Sequence, residues 1–499
     1  MNELLRPFAE HKRAAWTLAL VLFGTFAYFV PAPAWNQNSR FALTRALVER
    51  QSTIIDADHE TTGDKSFRDG HFYCDKAPGT SVLAAIPYAI VFGASRLLGA
   101  DPPEVSVIPL DPRDVAAGRT PTPEDRLPGD RLQYNRSHRF GLYVAGLFSV
   151  GLVSVLGALA LWVLVVRKYG VAIASACALT YGLATPALPY STALYGHQLC
   201  GALLLIAFVG TVATDRRATD SRIGFVVGLA AGYAVATEYT AVVPAALVAA
   251  LYLLRHGARA CVPIVIGAAP SVVLLASYHT AAFGSPLSTG YDWVWLPEFA
   301  EGMRVRYGIG RPSGAVLFAI LFGSYRGLFY LAPICLFATW GLVRETWRPT
   351  IAERPATIVA LACCAWFLSL NAGYYMWDGG AAIGPRHVVP MLGLLAIGLP
   401  IARSVVPHAF AVLAIVSAAQ LLVATAAMPE APQFGDPLWE FALGQVLGRP
   451  ASTDAIASNL GLLLGLPSVL SLAPLLVLWA WALPLAKAKP LQGATRSDA

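Results

Sequence analysis

The feature that most limits how this chain can fold is a series of apolar runs, each long enough to cross a lipid bilayer. About 20 consecutive apolar residues span the hydrocarbon core as an α-helix, because the helix satisfies its own backbone hydrogen bonds there. The runs cover roughly residues 14–33, 78–98, 139–166, 171–190, 197–213, 223–237, 239–254, 261–280, 327–343, 356–373, 387–403, 406–427 and 459–485. They predict an all-α polytopic membrane protein, a single transmembrane domain over residues 1–499.

Composition agrees with a membrane protein. Of the 499 residues 56% are hydrophobic and only 13% are charged, and the mean hydropathy is +0.56. A net charge of +6 is small for this length, and the basic residues lie in short clusters beside apolar runs. Clusters of this kind determine membrane orientation. They predict membrane lipid as a partner and no binding of nucleic acid.

The basic clusters also predict the topology. Arg6, Lys12 and Arg13 precede the first run, which has no cleavage site after it, so the N-terminus is predicted to be cytoplasmic and the first span to stay attached. Five later clusters fall on the cytoplasmic side only if 78–98 does not cross. They are Arg167-Lys168, Arg216-Arg217-Arg222, Arg255-Arg259, Arg344-Arg348-Arg354 and Lys487-Lys489. We therefore expect about twelve spans in the plasma (inner) membrane, with both termini cytoplasmic.

This topology assigns a polar segment, residues 35–138, to the outer face, facing the periplasm or the exterior. Within it, 36–48 is predicted to be an amphipathic helix lying on the membrane, with Arg40 and Arg45 in water. The run 78–98 becomes a juxtamembrane helix, and 101–131, rich in Pro, Asp and Arg, an extended loop. A second outer loop is predicted over 281–326.

A candidate chemical site lies where the polar segment meets the run 78–98. Asp75-Lys76 stands at the start of that helix, where an anion gains from both a lysine and the free N–H groups. The pair is therefore a candidate acid and phosphate site. The competing interpretation is a local ion pair at a helix end. The acids of this segment allow a divalent metal, but no spacing of ligands requires one.

Several short motifs carry a resemblance to a known family. They are Ser39-Arg40-Phe41-Ala42, Tyr73-Cys74-Asp75-Lys76-Ala77-Pro78-Gly79, Gly196-His197, Gly284-Ser285-Pro286 with Gly290-Tyr291, Arg326-Gly327-Leu328 with Pro333, and Trp377-Asp378-Gly379-Gly380 with Gly384-Pro385-Arg386. In this order the chain resembles the membrane-embedded glycosyltransferases of the GT-C class, in particular the family of lipid A aminoarabinose transferases and protein mannosyltransferases. The resemblance implies a GT-C-like fold with juxtamembrane helices on the outer face.

The chain departs from the family pattern at one important place. Gln37-Asn38 stands where the family usually has an acidic doublet, and an amide cannot deprotonate an acceptor hydroxyl. Either the base has moved to Asp56, Asp58 or Asp75, with Asp56 or Asp58 preferred, or the reaction needs no strong base there. The third alternative is a non-catalytic relative.

The resemblance implies transfer of a sugar from a polyprenyl-phosphate donor to a glycan, lipid or protein acceptor on the outer face. Lys76, Arg326 and Arg386 are then the candidates for binding the donor phosphate. Further candidates for the pocket are His197, Glu238, Tyr291 and Asp378. The alternative function is a transporter or flippase of lipid-linked saccharides, which is expected to show internal repeats and charges at mid-membrane.

Overall fold

The computed structural model describes residues 2–107, 132–214, 220–350, 352–427, 435–448 and 458–487. Most of the predicted loop 101–131 lies outside these residues, and so do Arg216, Arg217 and Lys489 of the basic clusters. The described helices begin with α1 (Asn2–Glu10), α2 (Lys12–Tyr28), α3 (Trp35–Glu49), α4 (Gly79–Leu97), α5 (Arg136–Gly146), α6 (Leu152–Leu183), α7 (Ala187–Ser191), α8 (Gly196–Val212), α9 (Ser221–Thr237), α10 (Val242–His256) and α11 (Cys261–Phe283). They continue with α12 (Pro297–Met303), α13 (Gly314–Phe322), α14 (Leu328–Leu331), α15 (Ile334–Trp347), α16 (Arg354–Gly373), α17 (Leu392–Leu395), α18 (Leu399–Val405), α19 (Pro407–Ala427), α20 (Leu443–Val446), α21 (Leu460–Leu463) and α22 (Ala473–Lys487).

The strands are short and form three antiparallel pairs. They are β1 (Phe29–Val30) with β6 (Ser458–Asn459), β2 (Lys65–Arg68) with β3 (His71–Cys74), and β4 (Val105–Val107) with β5 (Leu132–Tyr134). In the β2–β3 hairpin Lys65 lies opposite Cys74 and Phe67 opposite Phe72. The turn of this hairpin contains Asp69 and Gly70, both with positive φ (50° and 84°). The positive φ angles account for the Asp-Gly sequence, since these residue types tolerate the left-handed region.

Within the described residues, eight helical stretches are long and apolar enough to cross a membrane. One of them, Arg136–Leu183, holds 48 residues and reverses direction at Gly170, where φ is 76°. The Trp162 indole donates to the Ser175 hydroxyl at 3.2 Å, so the two halves pack side by side. Twelve passes can be counted from these helices. Seven of the eight stretches remain when α4 is left out, and the half of Arg136–Leu183 that follows Gly170 adds one more pass. The shorter helices α2, α8, α9 and α15 bring the total to the twelve that were predicted.

The packing of α2 against α5 and α6 locates α4. Tyr143 donates to the Ala27 carbonyl at 2.7 Å, whereas Phe8 of α1, which directly precedes α2, packs on Trp162 with ring centroids 5.7 Å apart. The helices are therefore antiparallel, and α5 begins at the end of the bundle where α2 finishes. We call this the loop end. The residues after α4 are held there too, because Arg45 of α3 donates to the Pro103 carbonyl at 3.0 Å. Thus α4 starts and finishes at the loop end, as the basic clusters predicted.

The opposite end of the bundle brings together the loops that carry four of the five basic clusters. Arg255 pairs with Glu353 at 3.0 Å and donates to the Thr211 carbonyl at 3.1 Å. Tyr169, beside Arg167 and Lys168, hydrogen-bonds Thr350 at 2.7 Å. Four predicted cytoplasmic loops therefore meet at one end. This arrangement agrees with their predicted location on a common side of the membrane.

Helix α3 differs from its predicted role. The sequence predicted a surface helix with Arg40 and Arg45 in water, but these side chains are buried, and so is the whole of Asn36–Ala46. Polar partners explain the burial, because Arg40 pairs with Glu238, and Arg45 pairs with Glu49 and Asp58. A helix with polar residues on several faces is buried when each polar group has a partner elsewhere in the fold.

Helices α9 and α11 cross at two glycines, which gives a first prediction. A Cβ at Gly228 would lie 2.1 Å from the Ile264 carbonyl oxygen, and one at Gly267 would lie 2.1 Å from that of Phe225. We expect Gly267→Ala to lower the free energy of unfolding by about 1–3 kcal/mol through overpacking. Gly93→Ala on α4, which meets nothing within 4 Å, is the control. Thermal unfolding of both purified variants measures the effect, and equal stabilities would rule out the close crossing.

Candidate active site

The β2–β3 hairpin brings three candidate groups together. Asp64 immediately precedes β2, and Asp75 and Lys76 immediately follow β3, so pairing of the strands places the two ends of the hairpin side by side. The Lys76 ammonium lies 2.9 Å from the Asp75 carboxylate and 3.2 Å from that of Asp64. The Lys76 and Asp64 side chains are each 15% exposed, whereas that of Asp75 is 7% exposed. A lysine between two carboxylates is thus held almost out of water.

A second segment closes against this end of the hairpin. The Ser66 hydroxyl donates to the Gly290 carbonyl at 2.7 Å. Gly290 is required here, since a Cβ would lie 2.6 Å from the Asp75 Cα. The contact brings Tyr291 close enough for its phenol and the Lys76 ammonium to influence each other's charge. Tyr291 therefore belongs to the same cluster as Asp75 and Lys76.

Helix α3 contributes a buried ion pair beside the hairpin. Arg40 lies 3.0 Å from the Glu238 carboxylate and donates to the Ala77 carbonyl at 3.3 Å, next to Lys76. The same Glu238 oxygen lies 3.4 Å from Nδ1 of His197. Gly196 permits this approach, because a Cβ there would lie 2.3 Å from that oxygen. Helices α3, α8 and α9 thus converge on one carboxylate.

The buried pair gives a second prediction. Arg40→Met keeps the side-chain volume but leaves Glu238 without its cation, and removing one partner of a buried pair costs about 3–5 kcal/mol. We expect a clear drop in the melting temperature of the purified protein, with Arg96→Met, an exposed arginine of α4, as the control. Adding Glu238→Gln removes the unpaired charge and should restore part of the loss. Strictly additive losses would contradict the pairing.

Arg386 and His387 complete the cluster from the far part of the chain. Gly379 and Gly380 have φ of 73° and 66°, and this turn lies against Arg386, where a Cβ at Gly379 would be 2.9 Å from its Cγ. The His387 ring lies 5.4 Å from that of His197 and 5.2 Å from that of Tyr374, centroid to centroid. The positive charge of Arg386 also acts on both Asp64 and Glu238.

The two acids of the hairpin, Asp64 and Asp75, have pKa values that are shifted in opposite directions. Burial alone would lower the pKa of Lys76, but the carboxylates of Asp64 and Asp75 outweigh it and raise that pKa. Burial tends to raise the pKa of Asp64 as well, yet Lys76 and Arg386 hold it below its usual range. The pKa of Asp75 is raised by burial and by the neighbouring Asp64, against the effect of Lys76. Asp75 is therefore the acid whose protonation changes closer to neutral pH.

Four buried polar atoms of the cluster have no hydrogen-bond partner in the described chain. They are Oδ1 of Asp75, Nε2 of His197, Nε of Arg386 and Nε2 of His387. Buried polar groups are nearly always hydrogen-bonded, and a group of exceptions calls for an explanation. These atoms supply both donors and acceptors, as a polar ligand requires. Among the described residues, no three His, Cys, Asp or Glu side chains converge as metal ligands.

Two of the acids predicted as bases lie elsewhere. Asp58 is buried between Arg45 and Arg50, at 2.9 Å from the latter. Asp56 is exposed near the hairpin tip, where it accepts from the Phe72 N–H at 2.7 Å and pairs with His71. Neither carboxylate contacts Lys76 in the described structure. Of the three predicted bases, only Asp75 therefore belongs to the proposed site.

Arg326 and Asp378 also have structural partners. The buried Arg326 guanidinium donates to the carbonyls of Asp378 at 2.8 Å and Gly380 at 2.6 Å. Its remaining bonds go to the carbonyl and hydroxyl of Tyr325, and that hydroxyl donates to the Asp378 carboxylate at 3.2 Å. Arg326 thus fixes the turn that supports Arg386. The structure favours a positioning role over direct binding of phosphate.

Sequence reasoning did not select Asp64, Arg40, His387 or Tyr374 as site residues. Asp64 stands among several acids, and only the hairpin register distinguishes it from Asp56 and Asp58. The two prolines near Arg386 gave no sign that His387 would face His197. Arg40 did carry a signal, since it lies within the Ser-Arg-Phe-Ala motif. Asp75, Lys76, Arg386, His197, Glu238 and Tyr291 were predicted and lie in the cluster.

Comparisons with known proteins give a limited result. No family model and no curated protein matches the sequence. Two solved structures of ArnT from Cupriavidus metallidurans are similar to the chain. The apo structure is 16% identical with a TM-score of 0.46, over 94% of this chain and 74% of the other. The structure bound to undecaprenyl phosphate is 15% identical with a TM-score of 0.48, over 96% and 76%. At these values, what the chain does has to be inferred from its own residues.

Proposed function

We propose that the protein is a membrane glycosyltransferase that moves a sugar from a polyprenyl-phosphate donor to an acceptor hydroxyl or amine. The observation that carries the proposal is the cluster of Lys76, Arg386 and Asp75 at the loop end of the bundle. It combines cations for a phosphate with a carboxylate for a proton. The motif resemblance to GT-C enzymes supports the same reaction.

The leaving group explains the cations. In the transfer, the bond between the sugar C1 and the phosphate oxygen breaks, and negative charge accumulates on the lipid-linked phosphate monoester. Preorganised positive groups stabilise charge that develops in the transition state. The raised pKa of Lys76 keeps its ammonium charged at any working pH. Arg386, with its buried and unpartnered Nε, offers a planar donor suited to phosphate oxygens.

The acceptor requires a base, and Asp75 is the proposed one. Its Oδ2 is held by Lys76, whereas its buried Oδ1 has no partner in the described chain. The acceptor oxygen or nitrogen forms a bond to C1 and its proton passes to Oδ1 of Asp75. Asp64, whose pKa is lowered, stays ionised and positions Lys76. The base is then not at Gln37-Asn38, because Gln37 donates to the Ala32 carbonyl and accepts from the Leu194 N–H.

The proposed location follows from the two ends of the bundle. The end that gathers Arg167, Arg255 and Arg344 is assigned to the cytoplasm of the plasma (inner) membrane, so the loop end faces the periplasm or exterior. We expect a cysteine placed at Asp69, whose side chain is 75% exposed, to react with a membrane-impermeant maleimide added outside intact spheroplasts. The background is Cys261→Ser, which removes the exposed native thiol. Labelling only after the membrane is opened would reverse the assigned orientation.

The decisive experiment measures free polyprenyl phosphate released from a labelled donor in membranes that contain the protein and a native envelope extract. Release requires cleavage of the C1–O bond and does not depend on knowing the acceptor. A flippase moves the donor intact and releases none. We expect release with the wild type and its loss in Lys76→Met. Movement of intact donor across the membrane without release would replace the transferase proposal by the flippase.

A further inference from the structure

The β2–β3 hairpin exposes an aromatic surface beyond the proposed active site. Phe67 and Phe72 face each other across the strands with centroids 4.9 Å apart, and Trp295 lies 4.9 Å from Phe67 and 5.1 Å from Phe72. Phe67 is 37% exposed and Trp295 is 43% exposed. We call Phe67, Phe72 and Trp295 the aromatic platform. None of them takes part in the proposed chemistry.

The aromatic platform is held rigidly. The Trp295 N–H donates to the Lys65 carbonyl at 3.0 Å, which ties its segment to β2. His59 stacks on Phe72 with centroids 4.1 Å apart and planes 9° from parallel. The Asp56 carboxylate accepts from the Phe72 N–H. A partly exposed apolar surface that is fixed from several sides is preorganised for a ligand, because binding costs little further ordering.

The aromatic platform is continuous with the active site through the same two strands. Phe67 follows Asp64 by three residues, a distance of about 10 Å along an extended strand. Phe72 precedes Lys76 by four residues on the partner strand. Trp295 follows Tyr291 of the cluster by four residues. A ligand lying on the aromatic platform can therefore extend along the hairpin toward Asp75.

The charged groups near the aromatic platform indicate which class of ligand it can bind. Arg68 and Asp69 follow Phe67 and His71 precedes Phe72 at the hairpin tip, and the Asp69 and His71 side chains are 75% and 48% exposed. Charged side chains such as those of Arg68 and Asp69 are costly inside a bilayer, so the hairpin tip belongs in water. A sugar chain, in contrast, presents C–H faces to aromatic rings and hydroxyls to charged neighbours. Tryptophan and phenylalanine rings surrounded by hydrogen-bonding groups match both requirements.

We propose that the aromatic platform binds the glycan chain of a carbohydrate acceptor and delivers its reactive end to Asp75. This inference rests on the proposed function and specifies its acceptor as an oligosaccharide of several units, because a single sugar cannot reach from the platform to the active site. It separates the binding of the acceptor from the chemistry, which the buried cluster performs.

The test measures binding without transfer. The purified full-length protein is titrated with four hexasaccharides, of maltose, cellulose, chitin and mannan type, and the heat of binding is followed by calorimetry. We expect saturable binding of at least one, weakened roughly tenfold by Trp295→Ala and Phe67→Ala. Trp347→Ala, which removes a 71% exposed indole from α15, should leave the affinity unchanged. Trp295→Leu keeps apolar packing and gives a second variant should Trp295→Ala not fold.

Three results would overturn the inference: no binding of any hexasaccharide, unchanged affinity in the Trp295 variants, or a quenching of tryptophan emission by lipids brominated on their acyl chains that is smaller in Trp295→Leu than in the wild type. The last result would place the aromatic platform in the bilayer as a membrane anchor. Binding needs neither donor nor transfer. A failure of the proposed reaction therefore leaves this measurement interpretable, and the two ideas can fail separately.

Discussion

Replacing Lys76 by methionine is expected to lower the rate of polyprenyl phosphate release by about 10²–10³-fold, because that is the typical effect of removing one preorganised group from a developing anion. Methionine retains the length and much of the volume of the lysine side chain. It loses the ammonium that lies between Asp64 and Asp75. The measurement is single-turnover release from a labelled polyprenyl-phosphate sugar, with each variant normalised to folded protein.

The control for this variant is Lys168→Met, which removes an exposed lysine at the opposite end of the bundle. It should release polyprenyl phosphate at the wild-type rate. Because Lys76→Met leaves two carboxylates facing each other, its fold is checked by size-exclusion chromatography and its melting temperature. A folded Lys76→Met protein with wild-type activity would exclude Lys76 from the site and with it the proposed phosphate position.

The second large effect is expected for Asp75→Asn, a nearly isosteric change that removes the proposed base. General base catalysis contributes about 10²–10⁴-fold, so a loss in that range is expected. Asp58→Asn is the matched comparison. Asp58 holds Arg45 and Arg50 rather than Lys76, so this variant should lose thermal stability while each folded molecule keeps its activity. The opposite pattern would return the base to Asp58, one of the two positions, Asp56 or Asp58, that the sequence favoured.

The pH dependence tests the same residue independently. A base works only when ionised, so the rate falls as the pH drops through the pKa of Asp75. Burial and the nearby Asp64 raise that pKa, and the acid limb of the profile should lie above the usual aspartate value of about 4. In Asp75→Asn this limb should disappear from the residual activity. An acid limb at the same position in both proteins would assign it to another group.

Much of the architecture was predictable from hydropathy and charge. Most apolar runs correspond to helices whose boundaries moved by a few residues, because twenty apolar residues have few alternatives to a membrane helix. The run 459–485 differs, since its long helical stretch begins only at Ser468. The prediction that 78–98 stays on one side of the membrane agrees with α4, which starts and finishes at the loop end. Five basic clusters made that prediction, although the hydropathy of the segment alone would allow it to cross. The buried environment of α3 was not predictable. Its hydrophobic pattern indicates an amphipathic helix, and only the partners supplied by Glu238 and Asp58 permit burial of both arginines.

The site was predictable only in part. Asp75 and Lys76 stood out because an anion at the start of the following helix gains from both the lysine and the free N–H groups, and Arg386 and His197 came from motif resemblance. The sequence could not show which of Asp56, Asp58 and Asp64 contacts Lys76, because all three lie within nine residues of each other. Strand register decided it. Asp64 borders β2 and therefore meets Lys76 at the far end of β3, whereas Asp56 reaches the hairpin tip.

The sequence by itself determined that this chain forms membrane helices, which residues border them and which loops share a side, because these properties depend on local hydropathy and on charge at helix ends. Tertiary structure decided which charges meet. A carboxylate becomes a base, a positioning group or a partner in a structural ion pair according to its burial and its nearest cation. Those neighbours come from residues as far apart in the chain as Asp64, Glu238 and Arg386.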